Sequence, residues 1–436
     1  MFCKAAANIV KLCAKLRRHT GLLCGISVPA FICTMAVCFQ VGCPRREPIR
    51  PTYGMDRPPD EWIRVLLFDK LRECEIAAPD GLTVSSVSGE TRAHFGDSSG
   101  KVSIRAVNGC ILAGPHQFEQ EVLICPDPPF YFSLDGKVYR GNLRLTLNPA
   151  DCTLQAVNFV PIESYLLGVV GAEMPSYWEP QALKAQAVAA RTYSLSMKLR
   201  FGQYRRWDVN QSEAYQVYEG MSAETATVRG SVEETAGKVL AIMGSERRWE
   251  LFPSYYSSVC GGHTENSFAV FGNRFLPLCG VSCPYCRPIA KGGIWDWGPE
   301  TYSLEQISRK LLERYPSLEQ LEGITGVETV RFGAIGRITG VKIYGKNGKT
   351  DFLRGEDFRL AMDSSGRRLK SAIFQIRQNG QSYEFFQGRG FGHGVGMCQT
   401  GAEYLARQGW DYRKILSYYY PGVSLILIEY KNDGRF

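Results

Sequence analysis

The chain has 436 residues, of which 44% are hydrophobic and 22% are charged, and its formal net charge is +8. This length allows one large core or two moderate ones, and the composition excludes a mainly disordered protein. The excess charge lies at the start of the chain, because residues 1–20 contribute +5 and residues 44–60 contribute +1, which leaves +2 for residues 61–436. The globular part therefore lacks the basic surface that nucleic-acid binding requires.

Residues 21–43 carry no charged side chain over 23 positions. A helix of that length spans a hydrocarbon core of about 30 Å. We therefore expect a basic cytoplasmic tail at 1–20 and a transmembrane signal-anchor, or a signal peptide, at 21–43. A proline-rich linker at 44–60 would then hold the main domain on the extracytoplasmic side of the cell membrane. A lipoprotein signal that ends at Cys43 is the alternative.

The elements predicted after the linker are first short strands and then helices mixed with hairpins. Residues 61–158 contain β-like runs separated by Gly, Asp and Asn turns. A helix is predicted from Pro161, and a second helix from Pro180 to about Arg200 with an apolar stripe on one face. We therefore expect one domain at 61–436, with a β-rich part at 61–158 and a catalytic core at 159–436.

Several capping and turn motifs complete the prediction. Ser303 and Gln306 fit a capping box at a helix start. Asn347-Gly348 and Asn379-Gly380 each predict a β-hairpin, and a helix is expected at about 397–408 after a glycine-rich loop. The predicted fold class is α+β, with mixed antiparallel sheets and hairpins and helices inserted between them.

Two long segments carry a family resemblance. They are VPIESYLLGVVGAEMPSYWEPQALKAQAVAARTYSL at 160–195 and GRGFGHGVGMCQTGAEYLARQGWDYRKILSYYYPGV at 388–423. Both resemble the signature segments of the stage II sporulation protein D family (SpoIID/LytB), and DVNQSEAYQVYEG at 208–220 resembles its intervening motif. The resemblance implies a peptidoglycan lytic transglycosylase that cuts glycan strands lacking stem peptides. Some members of the family are modifiers of a cell-wall amidase, which makes a non-catalytic, glycan-binding enhancer the alternative function.

Glu173 is the candidate catalytic residue, since cleavage of a glycosidic bond needs a positioned acid. A hydrolase generally needs a second carboxylate. A lytic transglycosylase needs only one, because the substrate's own primary hydroxyl attacks and leaves an anhydro-muramyl end. In the family pattern the acid is the Glu of the Glu-Met-Pro triplet, which is Glu173 here. The alternative is that Glu173 caps the following helix or pairs with Lys184.

Six further residues are predicted to bind the glycan. Lys184 and Arg191 lie seven residues apart on one helical face and would meet muramyl carboxylates or hold Glu173, or else they form a solvated face. His393, between two glycines, would contact the glycan or orient Glu173, or else packs through its ring. The others are Trp178, which could stack on a sugar, Gln216 in the intervening motif, and Gln399 as a hydrogen-bonding partner.

A structural zinc site is predicted from two short-spaced pairs of ligands. Cys260 and His263 form one pair, and Cys283 and Cys286 form the other. Each two-residue gap allows both side chains to reach one tetrahedral ion, and four protein ligands leave no open position for catalysis. A disulfide is the alternative, and Cys279 is a spare ligand.

Overall fold

The computed structural model describes residues 62–89, 91–96, 100–211 and 216–428. The predicted tail, membrane span and linker therefore lie outside the described residues. Within the described ranges, no helix combines the length and apolar character needed to cross a bilayer.

The first part of the described chain forms two large sheets whose strands alternate between buried and exposed positions. The seven-stranded sheet contains, in spatial order, β13 (Val209–Asn210), β1 (Trp62–Leu71), β12 (Thr153–Pro161), β11 (Asn142–Asn148), β8 (Glu121–Pro126), β3 (Leu82–Ser86) and β4 (Arg92–Phe95). The six-stranded sheet contains β10 (Lys137–Arg140), β9 (Tyr131–Leu134), β2 (Glu73–Ala77), β5 (Lys101–Val107), β6 (Cys110–Ala113) and β7 (His116–Phe118). The buried faces of both sheets belong to one hydrophobic core, because alternation sends every second side chain to the same side.

Eight α-helices are described. They are α1 (Ile162–Glu173), α2 (Pro180–Phe201), α3 (Ala226–Glu233), α4 (Ser267–Phe271), α5 (Leu304–Arg314), α6 (Gly355–Met362), α7 (Gln399–Arg407) and α8 (Tyr412–Tyr419). Helix α2 is central: it contacts α1, α3, α7 and α8, and almost every residue from Ala182 to Met197 is buried. The buried surface of α2 is therefore wider than the single apolar stripe that the sequence predicted. The alanine and serine side chains of α2 are small enough to admit neighbours on all sides.

Five small sheets connect the helices. They pair β15 (Trp249–Glu250), β14 (Lys238–Met243) and β26 (Ser424–Leu427); β16 (Tyr256–Ser257) and β25 (Met397–Cys398); β17 (Asp296–Trp297) and β24 (Gly388–Arg389); β18 (Glu300–Ser303), β23 (Ser382–Phe386) and β22 (Gln375–Asn379); and β19 (Ile324–Phe332), β20 (Ile338–Gly345) and β21 (Thr350–Leu353). The prediction of a mixed α+β protein is confirmed.

A second hydrophobic core lies within residues 297–385, apart from the main one. It is built from α5, α6 and the two three-stranded sheets β18-β23-β22 and β19-β20-β21. In the sequence, this unit lies between the cysteine-containing loops and the glycine-rich loop. Those two segments are in contact in the folded protein although the unit separates them along the chain.

Candidate active site

Glu173 is the last residue of α1, at the point where the chain turns away from the helix. Met174 is extended, with φ −130° and ψ 142°, and it precedes Pro175, which disfavours the helical conformation at the preceding residue. The Met174 side chain is buried and fixes this turn to the core, whereas Glu173 is half-exposed. The carboxylate therefore has both a rigid support and access to solvent.

Three segments that are distant in sequence converge on the Glu173 carboxylate. The backbone N–H of Val217 donates to Oε1 at 2.8 Å, and the Tyr256 hydroxyl donates to the same oxygen at 3.4 Å. The side-chain amide of Gln399 donates to Oε2 at 3.3 Å. Gln399 was predicted as a hydrogen-bonding residue, and its described partner is Glu173.

A buried polar network fixes the direction of the Tyr256 hydroxyl. The Gln216 amide nitrogen donates to Tyr256 Oη at 2.9 Å, while its oxygen accepts from Tyr165 Oη at 3.0 Å and from Ser194 Oγ at 2.6 Å. Since Gln216 supplies a donor to Tyr256, the phenolic proton is available to Glu173. Burial, and then the nearby Glu173 charge, raise the pKa of Tyr256 well above its ordinary value, so it stays a donor.

The parallel pairing of two short strands brings these residues together. Tyr256 of β16 lies opposite Met397 of β25, and Ser257 lies opposite Cys398. Gln399 follows directly as the first residue of α7, whose N-cap is Cys398. The N-terminus of α7 therefore faces the C-terminus of α1, with the carboxylate between them.

His393 is held as a neutral ring beside this site. Its Nδ1 accepts from the Val395 backbone N–H at 3.0 Å, and its ring lies 5.1 Å from that of Phe271 and 6.0 Å from that of Tyr255. Burial lowers the pKa of His393 to about 4, in spite of the opposing charge of Glu356. These contacts pack the ring between aromatic residues, and contact of His393 with the glycan stays a prediction.

Lys184 and Arg191, which were predicted to bind the glycan, both form ion pairs with glutamates of the protein. Arg191 is fully buried, and its guanidinium donates to both oxygens of Glu163 at 2.6 and 2.8 Å. The Lys184 ammonium lies 2.5 Å from a Glu234 oxygen. The assignment of Arg191 to the glycan is therefore corrected, because its side chain has no surface to offer; it ties α2 to α1.

Two other predicted glycan contacts have different positions. Gln216 is fully buried, so its predicted contact with substrate is also corrected: it acts on Tyr256 from behind the site. Trp178 is half-buried and packs against the main core. Its neighbour Tyr177 is 73% exposed at the rim of the α1–α2 connection. Tyr256, which donates to Glu173, was not selected from the sequence, because buried aromatic residues are common and give no local signal of a role.

Four buried cysteines converge next to α7. The Sγ atoms of Cys260, Cys283, Cys286 and Cys398 all lie within 4.8 Å of one another, and those of Cys260 and Cys286 are 3.7 Å apart. A tetrahedral zinc with Zn–S bonds of about 2.3 Å needs sulfur atoms about 3.8 Å apart. The backbone N–H groups of Cys260 and Gly401 donate to Cys398 Sγ at 3.3 and 3.4 Å. The donor set and its spacing therefore fit a structural zinc ion.

The cysteine cluster differs from the predicted set of zinc ligands at a single position. Cys398 joins the cluster, whereas His263 lies outside it, with Nδ1 2.6 Å from the Thr264 carbonyl oxygen. No short spacing links Cys398 to the other ligands, since the second core intervenes. A disulfide is not formed: each of the nine cysteines in the described ranges is a free thiol. Burial and the neighbouring thiols raise the pKa of Cys398 well above its ordinary value, a condition that a bound cation would reverse.

Comparisons with known proteins agree with the motifs. Residues 150–241 match the family model described as stage II sporulation protein, and residues 292–396 match a domain of unknown function. An uncharacterised protein of Brachyspira hyodysenteriae is 34% identical over 295 residues, which is 68% of this chain and 74% of that protein. Stage II sporulation protein D of Bacillus subtilis is 31% identical over 291 residues, or 62% of this chain and 76% of that protein.

A third relative has a different name. The amidase enhancer of Bacillus subtilis is 32% identical over 340 residues, which is 67% of this chain but only 44% of that protein. The coverage and identity of these relatives establish that the chain belongs to the SpoIID family.

Proposed function

We propose that this chain is a cell-wall enzyme, a lytic transglycosylase that cleaves peptidoglycan glycan strands lacking stem peptides, with Glu173 as its only acid and base. The single observation that carries the proposal is the arrangement of the Glu173 carboxylate. It is half-exposed, and it is held through Oε1 by Val217 and Tyr256 and through Oε2 by Gln399. The names of the relatives support a role at the cell wall.

The two oxygens of Glu173 have different roles in this mechanism. Oε1 accepts the Val217 N–H, so the transferable proton belongs on Oε2. That proton passes to the bridging oxygen, the glycosidic bond breaks, and an oxocarbenium-like muramyl centre forms. The Glu173 carboxylate then takes the proton of the primary hydroxyl of the same sugar. The hydroxyl oxygen bonds to the anomeric carbon, which yields the anhydro-muramyl end without water.

A second candidate function is a glycan-binding protein that stimulates a separate cell-wall amidase. The relative named amidase enhancer favours it. On this account the site holds a strand, and the partner amidase performs the chemistry.

The substitution Glu173→Gln separates the two functions. Gln has the same shape but cannot donate a proton as an acid, so we expect release of anhydro-muramyl products from peptide-free strands to fall at least about 100-fold. The matched control is Glu179→Gln, on the same α1–α2 connection, where the side chain is exposed. Equal product release by wild type and Glu173→Gln would exclude the catalytic account, and binding without products in the wild type would favour the enhancer.

We further propose that Cys260, Cys283, Cys286 and Cys398 bind one structural zinc ion. When bound, the ion supplies positive charge to four thiolates and joins the cysteine-containing loops to the start of α7. Since Gln399 follows Cys398, this cluster also positions the amide that contacts Glu173.

The zinc proposal predicts different results for Cys398 and His263, the two residues at which the cluster differs from the sequence prediction. Cys398→Ala should lose the metal measured by elemental analysis and lower the melting temperature. His263→Ala should keep one zinc per chain, because its ring lies outside the cluster. Loss of zinc in the His263 variant with retention in the Cys398 variant would contradict this ligand set.

The apolar residues 21–43 support a further proposal, that the domain is tethered to the cell membrane on its extracytoplasmic side. Peptidoglycan strands would then lie within its reach, and a cell-wall amidase is a candidate partner.

A further inference from the structure

The side chain of Arg337 is buried where the second unit meets the loops that lead to the candidate active site. Arg337 lies between the short turn at Ala334–Gly336 and strand β20, and only 1% of its surface is exposed. Its Nη2 donates to the carbonyl oxygen of Cys260 at 2.9 Å. Among the described residues, its Nε and Nη1 have no hydrogen-bond partner. The guanidinium therefore extends from the second unit to a loop of the main part of the molecule.

The same guanidinium lies against the glycine-rich loop. A Cβ atom at Gly394 would lie 2.2 Å from Nη2 of Arg337 and 2.5 Å from its Cζ, so a larger residue at position 394 would displace the arginine. Gly394 also has φ +73°, a conformation that residues with a Cβ atom rarely adopt. One arginine thus contacts both the loop that contains Cys260 and the loop that contains Gly394.

A second contact joins the second unit to the same place. The Glu265 carboxylate is buried, and its Oε2 accepts from the backbone N–H of Ala334 at 2.8 Å. The Glu265 backbone N–H in turn donates to the carbonyl oxygen of Gly394 at 2.7 Å. The second unit therefore holds the glycine-rich loop directly through Arg337 and indirectly through Glu265.

Arg337 is a poor choice for stability alone. A buried donor that has no partner has lost its hydrogen bond to water and gained none in the protein, and Nε and Nη1 are two such donors. Burial lowers the pKa of Arg337, although the nearby charges of Glu356 and Glu265 oppose that change. An apolar side chain of similar length would fill the space without these costs. The contacts that Arg337 makes across the two parts of the molecule therefore indicate its role.

The two loops that this guanidinium contacts lead directly to the donors of the candidate acid. Cys260 follows β16 by three residues, and Gly394 precedes β25 by the same number. Tyr256 of β16 donates to Oε1 of Glu173, and Gln399, the residue after β25, donates to Oε2. Because β16 pairs with β25, a displacement of either loop is transmitted to both donors.

We propose that Arg337 is a positioning residue for the candidate active site, through which the second unit holds the strands that carry the side-chain donors to Glu173. The inference rests on the proposed function and assigns the second unit a part in it. Arg337 is buried, so it acts through the backbone of Cys260 and Gly394 and not on the glycan. Since a misplacement of about 1 Å is enough to slow catalysis about 100-fold, loss of Arg337 should reduce turnover more than substrate binding.

Steady-state kinetics of the full chain on soluble peptide-free strands test this proposal. Arg337→Met removes the donor to the Cys260 carbonyl and keeps an unbranched side chain in the space. We expect kcat for release of anhydro-muramyl ends to fall about 10–100-fold, while KM changes less than about twofold. The matched control is Arg368→Met, which removes an arginine that pairs with Glu300 at 2.7 Å within the second unit and should leave kcat unchanged.

A conservative variant separates positioning from general folding. Arg337→Lys keeps a cationic donor but loses the planar fork, so its kcat should lie between those of the wild type and Arg337→Met, again with KM unchanged. Urea unfolding of each variant shows that the kinetics are measured on folded protein. If Arg337→Met does not fold, the lysine variant tests the proposal by the same split between kcat and KM.

A second measurement does not depend on catalysis. In Arg337→Met, hydrogen exchange should be at least about 10-fold faster at the amide of Phe391, which donates to Val259 at 2.8 Å, and at the amide of Val395, which donates to His393 Nδ1 at 3.0 Å. The amides of β20 should keep their wild-type protection. If the wild type releases no anhydro ends, the proposed function fails, and the exchange result still decides whether Arg337 holds the loops.

The opposite results would overturn the proposal. Wild-type kcat and wild-type exchange at both loop amides in Arg337→Met would show that the arginine positions nothing. Equal loss of protection in β20 and in the loops, without recovery by Arg337→Lys, would assign Arg337 to the general stability of the fold. A rise in KM at constant kcat would mean that the second unit affects binding of the strand and not the geometry around Glu173.

Discussion

The two oxygens of the Glu173 carboxylate have different surroundings, because they accept hydrogen bonds from different donors. The family motif alone was enough to select Glu173 from the sequence, since Glu-Met-Pro at a helix end is a local pattern. Tyr256 and Gln216 were harder to assign, because their roles come from contacts across 40 to 83 residues of chain. Arg191 was misplaced for a related reason: spacing gives the face of a helix, but not which face is buried.

The buried ring of His393 should make the free energy of unfolding depend on pH. Its pKa is about 4 in the folded protein and about 6.5 when unfolded, so between these values only the unfolded chain binds the proton. Stability is therefore lost as the pH falls from about 6.5 towards 4, by up to about 2 kcal/mol between pH 7 and 5. His393→Gln keeps an acceptor for Val395 and does not titrate.

Urea unfolding of both proteins at pH 7 and pH 5 measures this contribution. We expect the wild type to lose more stability than His393→Gln over that interval, by the amount given above. Parallel losses in the two proteins would show that the ring is not held in its neutral form.

Among the elements, helix α1 is positioned by close backbone packing. A Cβ atom at Gly171 would lie 2.0 Å from the carbonyl oxygen of Ala223, which is backbone and cannot rotate away. Gly171→Ala should therefore lower the free energy of unfolding by about 2–3 kcal/mol. Gly230→Ala in α3 is the matched control, since a Cβ there meets no atom within 4 Å and Ala favours the helix by about 0.5–1 kcal/mol.

Denaturant midpoints of the two variants give the comparison. We expect Gly171→Ala to lower the denaturant midpoint and Gly230→Ala to raise it. Equal and small effects would mean that α1 is free to shift, and then the placement of Glu173 would not depend on this contact.

Elements with local chemistry were predictable from the sequence. The capping box at Ser303 is present, and the turns at Asn347-Gly348 and Asn379-Gly380 join β20 to β21 and β22 to β23. The two-residue strands β16 and β25 were not, because such short strands have no periodicity. Yet their pairing is what sets Tyr256 and Gln399 on the same carboxylate.

For the molecule as a whole, the second hydrophobic core within residues 297–385 is the main feature that composition could not predict. Length allowed one core or two, and only the packed structure divides the buried residues into two clusters. The part of the chain that forms the main core positions Glu173 and Tyr256, and the chain returns to that core after the second unit to supply Cys398 and Gln399. The candidate site therefore depends on long-range closure of the chain, which the pairing of β16 with β25 provides.

We propose that the single carboxylate of Glu173 cleaves the strand without water, and digestion in heavy-oxygen water tests this proposal most directly. Peptide-free strands are digested by the full chain in that solvent, and the new ends are weighed by mass spectrometry. The account predicts anhydro-muramyl ends that contain no solvent oxygen, because the sugar's own hydroxyl forms the new bond. Reducing ends that carry the heavy oxygen would show hydrolysis, and would contradict a mechanism with Glu173 as the only catalytic group.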